Sequence, residues 1–176
     1  NVYGTDGTTT DNTPSFTAPE GSYQYQVLVN EAGDWDLSSA QLTDTLSSYM
    51  TFVGYVKVEA FHIDQEAPAS SLADQAALDY FAGKAPAETF WVRIDGKTQF
   101  EITPKTCSTN QNHAYRLTYY AQPNATGTVL VTNDFVLSGT VGYGGKTYTL
   151  AGIKASAQVT VSGDNSFAAQ KHALFY

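Results

Sequence analysis

Apolar and polar residues alternate with a period of two along most of this chain, which is the pattern of strands with one buried face. In residues 23–30, tyrosines and valines alternate with glutamines, and in residues 153–161, Ile, Ala and Val alternate with Lys, Ser, Gln and Thr. Further strands are predicted at residues 42–46, 51–63, 90–94, 98–102, 115–120, 128–138 and 146–150. Short strands separated by frequent turns predict an all-β fold.

The turns between these strands carry glycine signals. Asp95-Gly96 predicts a type I′ hairpin joining residues 90–94 to 98–102, and Gly144-Gly145 predicts another tight turn. The strands at 115–120 and 128–138 are also predicted to be joined by a turn, at residues 122–127.

Residues 64–88 break the period of two. Ser71 with Asp74 suits a helix N-terminus, apolar residues follow at helical spacing, and Gly83 is a plausible helix end. The fold class predicted is therefore an antiparallel sandwich with one helical insertion at about residues 70–83. We expect a lead-in segment over residues 1–19, the sandwich over 20–162 with the insertion at 64–88, and a tail or linker over 163–176.

Composition narrows the classes of function. The 176 residues include 12 Tyr, 9 Phe and a single Cys, and the net charge is −8. An acidic chain does not offer the basic face that nucleic acids require, and it has no run of apolar residues long enough to cross a membrane. We interpret the chain as an excerpt from a longer extracellular polypeptide.

Catalytic signatures are missing from the sequence. His62, His113 and His172 share no ligand spacing with one another or with Cys107, and no phosphate-binding loop or nucleophile elbow occurs. Cys107 stands in a polar loop, where an incidental thiol is the simpler interpretation. We expect a non-enzymatic protein with no cofactor and no metal.

Two polar residues fall on faces that are otherwise apolar. Asp44 shares a strand face with Leu42 and Leu46, and Asn133 lies among alternating Val, Phe and Leu residues. A buried carboxyl and a buried amide must be satisfied, since leaving either unpaired costs about 1–3 kcal/mol. One interpretation is a hydrogen-bonded pair that fixes strand register. The other is a self-crosslinking site, in which a buried, uncharged lysine amine attacks the asparagine amide and a neighbouring carboxyl shuttles protons.

Four phrases occur in a familiar order: Gly21 to Asn30, Leu42 to Leu46, Tyr115 to Tyr119 and Asn133 to Gly139. Together they resemble the immunoglobulin-like domains of Gram-positive surface adhesins and pilins, in particular the collagen-adhesin A-type or DE-variant modules. The resemblance covers about residues 20–60 and 113–162. It implies an immunoglobulin-like sandwich, with Asp44 as the acid and Asn133 as the acceptor of an intramolecular isopeptide bond.

The sequence departs from that family in its lysines. The family's reactive lysine lies on the first strand, but no lysine occurs between Asn1 and Tyr55. Lys97 and Lys146 fall in predicted turns, and Lys154 falls on the polar face of its strand. Lys57 also lies opposite its strand's apolar face.

The resemblance implies a module of a cell-wall-attached or secreted bacterial surface protein, acting as a stalk or as an adhesive head. Its partners would be a host matrix protein, a glycan or neighbouring domains of the same protein. Trp35, Trp91 and Tyr80 are the candidate ligand-binding residues, because exposed aromatic rings stack on sugars. A glycan-binding module is the alternative interpretation.

Overall fold

A computed structural model describes residues 9–10, 12–30, 33–62, 80–104, 113–124, 128–161 and 170–175. For residues 170–175 and the odd-numbered positions from 153 to 161, only the backbone is described. The predicted start of the helix and Cys107 lie outside these residues.

Ten strands account for most of the described chain. In order they are β1 (Thr9–Thr10), β2 (Tyr23–Val29), β3 (Ala40–Leu46), β4 (Met50–His62), β5 (Glu88–Arg93), β6 (Gln99–Ile102), β7 (His113–Pro123), β8 (Val129–Tyr143), β9 (Lys146–Val161) and β10 (Gln170–Phe175).

The strands form two sheets. The larger has the order β1-β5-β4-β7-β2-β10, and the smaller has the order β6-β3-β8-β9. Every pairing is antiparallel except that of β10 with β2, which is parallel. The prediction of an all-β, antiparallel sandwich with one small helical segment is confirmed.

The core lies between the two sheets and is built from the alternating apolar positions. Val56, Val58 and Ala60 of β4 are buried there, as are Leu117 and Tyr119 of β7. Because strand side chains alternate between faces, the intervening residues of β4 and β7 stand on the outer face of the larger sheet. A second, smaller cluster of buried apolar residues is separate from this core and contains Leu28, Phe61, Phe81 and Ala114.

The predicted type I′ hairpin at Asp95-Gly96 is wrong. β5 and β6 belong to different sheets, so Asp95-Gly96 carries the chain from one sheet to the other. Among the described residues, positive φ outside glycine occurs only at Asn30 and Tyr49, so Asp95 does not adopt the conformation that a type I′ turn needs. β7 and β8 likewise lie in different sheets. Each of these strands buries one face in the same core. The alternation of apolar and polar residues is the same whether two strands pair within a sheet or face each other across the core, so the sequence does not distinguish the two arrangements.

The tight turn at Gly144-Gly145 does join a hairpin. β8 and β9 pair from Tyr143 and Lys146 outward, and both glycines have positive φ, at 58° and 79°.

The C-terminal end of the chain differs from expectation. Residues 170–175, expected to belong to a tail or linker, form β10 on the edge of the larger sheet. Of the predicted helix at 70–83, the described part is residues 80–82, followed by a turn at Gly83. Phe81 of this segment packs on Phe61 of β4, with ring centroids 5.1 Å apart.

Gly54 shapes the outer face of the larger sheet. The pairing of β4 with β7 shifts register between Val53 and Lys57, and within this irregularity Gly54 has a φ of 70°. The ring of Phe16 lies directly over Gly54, where an added Cβ would overlap the ring. Phe16 also contacts the rings of Tyr55 and Tyr120, at centroid distances of 6.3 and 6.2 Å.

We expect Gly54→Ala to destabilise the protein more than Gly96→Ala. Both glycines have positive φ, so each substitution incurs a backbone penalty of about 1–2 kcal/mol. A Cβ at Gly96 meets nothing within 4 Å, whereas at Gly54 it must displace Phe16. Urea denaturation of both variants measures the difference, and equal losses of unfolding free energy would show that Phe16 does not pack on Gly54 in solution.

Candidate functional site

The structure brings Asp44 and Asn133 together in the core. They lie on the paired strands β3 and β8, where Asp44 is opposite Phe135 and Asn133 is opposite Leu46. This diagonal arrangement puts both side chains on one face of the smaller sheet. Asp44 is fully buried and Asn133 is 3% exposed.

A tyrosine from the larger sheet completes the cluster. The Asn133 amide donates a hydrogen bond to Oδ1 of Asp44 at 2.7 Å, and the Tyr119 hydroxyl donates to Oδ2 of the same carboxyl. The Tyr119 hydroxyl also lies 3.5 Å from Oδ1 of Asn133. We call these three residues the core cluster. It joins β3 and β8 of one sheet to β7 of the other.

Aromatic rings enclose the core cluster. The Tyr25 ring stacks on Tyr119 with centroids 5.6 Å apart, while Phe52 and Phe100 contact Tyr119 edge-on at 5.7 and 5.1 Å. The Tyr25 hydroxyl donates to the sulfur of Met50 at 3.6 Å. The carboxyl of Asp44 is therefore sealed from bulk solvent by protein groups.

Burial controls the protonation of this site. Loss of solvation raises the pKa of Asp44 from 3.8 to about 7, although its hydrogen bonds to Tyr119 and Asn133 oppose the change. Burial also raises the pKa of Tyr119 well above its ordinary value, and the neighbouring Asp44 adds to the rise. Near neutral pH, Asp44 can accordingly hold or release a proton, as a proton shuttle requires.

Tyr119 was not among the residues that the sequence singled out. Its position in β7, on the same face as Leu117 and Ala121, predicts burial. A buried tyrosine hydroxyl needs a hydrogen-bond partner, and an inward carboxylate is a natural one. Together, these two facts could have predicted that Tyr119 bonds to Asp44.

The described lysine side chains lie away from the core cluster. Lys57 is 45% exposed and lies 3.8 Å from Glu59, and Lys154 is 55% exposed and lies 3.4 Å from Asp134. Lys97 and Lys146 are exposed at turns, and Lys84 lies over the Tyr80 ring.

Lys171 differs from these lysines in its backbone position. It lies on β10, in register with Tyr25, whose ring stacks on Tyr119. Paired strands are about 4.8 Å apart. The backbone of Lys171 is therefore that close to β2, the strand whose Tyr25 packs against the core cluster.

The three aromatic ligand candidates are not brought together. Trp91 lines a groove on the outer face of the larger sheet, between the N-terminal segment and residue 82. Trp35 instead packs against the core, in a loop whose backbone is held by the Asn30 amide at 2.8 and 3.1 Å. Tyr80 packs edge-on against Phe81 and beneath Lys84.

Two histidines that look scattered in the sequence are neighbours. His62 and His113 are partners across β4 and β7, with ring centroids 4.6 Å apart. Within the described ranges, no group of three or more His, Cys, Asp or Glu residues is arranged to hold a metal ion. A search of the same residues found no helix with the length and apolar character needed to cross a membrane.

Two collagen-binding domains are among the solved structures to which this chain is similar. The collagen-binding domain from a Staphylococcus aureus adhesin has 8% sequence identity and a TM-score of 0.37, over 82% of this chain and 100% of that one. ACE19, the collagen binding subdomain of the Enterococcus faecalis surface protein ACE, has 12% identity and a TM-score of 0.35, over 83% of this chain and 100% of that one. Similarity this low carries no argument about function. No protein-family model and no curated protein matches the chain.

Asp44→Asn should flatten the pH dependence of stability between about pH 4 and about pH 7. In this range the unfolded chain has lost the Asp44 proton, while the folded protein, with a pKa of about 7, keeps it. Stability therefore falls as pH rises, by a total on the order of a few kcal/mol, and an asparagine removes that contribution. Urea denaturation at a series of pH values measures it.

Glu20→Gln is the matched control, because Glu20 is exposed and lies outside the core cluster. Its slope should stay close to that of the wild type. An unchanged slope in Asp44→Asn would contradict the raised pKa.

Proposed function

We propose that this chain is a non-enzymatic, immunoglobulin-like module of a bacterial cell-surface adhesin or pilin-like protein. It would be extracellular, either attached to the cell wall or secreted, and would act as a stalk or an adhesive head. The observation that carries the proposal is the core cluster, which ties the two sheets together through Asp44, Asn133 and Tyr119. Such a link between the sheets would help a module to transmit force or to hold a ligand under flow.

We further propose that the core cluster is an isopeptide-forming site and that Lys171 supplies the amine. The uncharged Nζ of Lys171 attacks Cγ of Asn133, a new C–N bond forms, and the bond from Cγ to Nδ2 breaks. Ammonia leaves with a proton relayed by Asp44, which regains a proton from the attacking amine. Atoms and charge balance with no other reactant.

The register of β10 favours Lys171 over the other lysines, and the pKa of Asp44 supports the proposed chemistry. The register of β10 on β2 brings the backbone of residue 171 beside Tyr25 of β2, whose ring stacks on Tyr119 of the core cluster. The pKa of Asp44, raised to about 7 by burial, suits a group that must exchange protons at neutral pH. The bond would join β10 covalently to β8, and hence the edge of the larger sheet to the middle of the smaller one.

The intact mass of the purified 176-residue chain tests the crosslink. We expect a mass lower than the sequence mass by one ammonia, restored to the sequence value in Lys171→Arg and in Asn133→Ala. Asp44→Asn should slow the loss of ammonia, because the proton relay is absent. Lys154→Arg is the matched control, since it removes an exposed lysine from β9 and should leave the mass loss unchanged.

A wild-type mass equal to the sequence mass would rule out the crosslink and leave the core cluster as a hydrogen-bonded register lock. Retention of the mass loss in Lys171→Arg would assign the amine to another lysine.

A further inference from the structure

The outer face of the larger sheet contains a groove of about 470 Å³. Phe16 and Pro14 border it at one end, and Ala82, next to the Phe81 that packs on Phe61, borders it at the other. The floor is the middle of the sheet. The mixed face of β4, with Tyr55, Lys57 and Glu59, thus lies between these two ends and lines the groove.

Strand register fixes the arrangement of the floor. One row crosses four strands from Trp91 through Lys57 and Thr118 to Gln26. Beside it, the amide of Gln24 donates a hydrogen bond to the Tyr120 hydroxyl at 2.8 Å. The floor therefore combines aromatic rings with amide and hydroxyl groups, and each of these floor side chains is partly exposed.

The charges in the groove largely neutralise one another. Arg116 donates to Glu59 at 2.9 Å, and Lys57 lies 3.8 Å from the same carboxylate. Glu59 is 7% exposed and Arg116 15%, whereas Lys57 is 45% exposed. A highly charged ligand would have to break this ion pair. A ligand that is neutral, or that carries an isolated carboxylate facing Lys57, would not.

The groove does not suit the common ways of binding a peptide. A strand adds to a sheet through free backbone groups, but β4, β7, β2 and β5 are each paired on both sides. An amphipathic helix needs an aliphatic groove, and among the described lining residues the aliphatic side chains are those of Pro14 and Ala82.

We infer that this groove binds an oligosaccharide. The apolar faces of sugar rings stack on Trp91 and Tyr55, and sugar hydroxyls exchange hydrogen bonds with Gln26, Gln24 and Tyr120. The volume falls within the range of small-molecule sites and accommodates a short segment of a chain. This inference rests on the proposed adhesin function and specifies the class of ligand that the adhesive head recognises.

A glycan array probed with the full 176-residue chain tests the inference, with neutral and acidic oligosaccharides and a triple-helical collagen peptide on one surface. We expect at least one oligosaccharide to bind. For that oligosaccharide, isothermal titration calorimetry should give a dissociation constant raised by about tenfold or more in Trp91→Ala. Gln26→Ala is a second variant, which removes a polar contact without opening the packed aromatic floor.

Tyr148→Ala is the matched control, because Tyr148 is 50% exposed on β9 and lies outside the groove. Its affinity should stay within about twofold of the wild type. Variants are compared only after thermal unfolding shows that they fold.

Three outcomes would overturn the inference: no oligosaccharide binds, binding survives both Trp91→Ala and Gln26→Ala, or only the collagen peptide binds. The last outcome would keep the adhesin function and change the ligand class. The mass measurement on Asn133 and Lys171 is independent of all three, so failure of the groove and failure of the crosslink are distinguishable.

Discussion

The hydrogen-bonded carboxyl of Asp44 is the constraint on which the rest of this fold depends. A carboxylate sealed between two sheets is strongly disfavoured unless it is protonated or fully hydrogen-bonded. Here Asn133 bonds one oxygen and Tyr119 the other. Because the two partners come from different sheets, satisfying one buried group sets both the register of β3 on β8 and the position of β7 above them. The aromatic rings around the cluster then exclude the water that would otherwise solvate the charge.

The two faces of the larger sheet differ in burial. Its inner face contributes Tyr25, Tyr119 and Phe52 to the closed core, while its outer face carries the groove. The bulge at Gly54 links the two, since it lets Phe16 lie on the sheet and form one end of the groove. Under the two proposals, mechanical integrity and ligand contact depend on opposite faces of the same strands. A change in one face need not disturb the other.

The sequence predicted the elements of the fold better than their arrangement. Period-two alternation located the strands and the inward positions of Asp44 and Asn133, because the buried face of a strand can be identified from the strand's own residues. It did not separate pairing within a sheet from facing across the core, so the turn at Asp95-Gly96 was misassigned. The groove was also out of reach, since Trp91, Lys57 and Gln26 lie on three strands and only the sheet order makes them one row. Strand β10 was missed for a similar reason, because it is short and its pairing depends on β2, which is distant in sequence.

The most direct test of the central claim is the titration of the Asp44 carboxyl itself, followed by the carbon-13 chemical shift of its side chain in the folded protein. Burial within the cluster predicts a midpoint near pH 7, as the raised pKa requires. A midpoint close to the ordinary aspartate value of about 3.9 would show that water reaches the carboxyl. The two sheets would then not be joined through it.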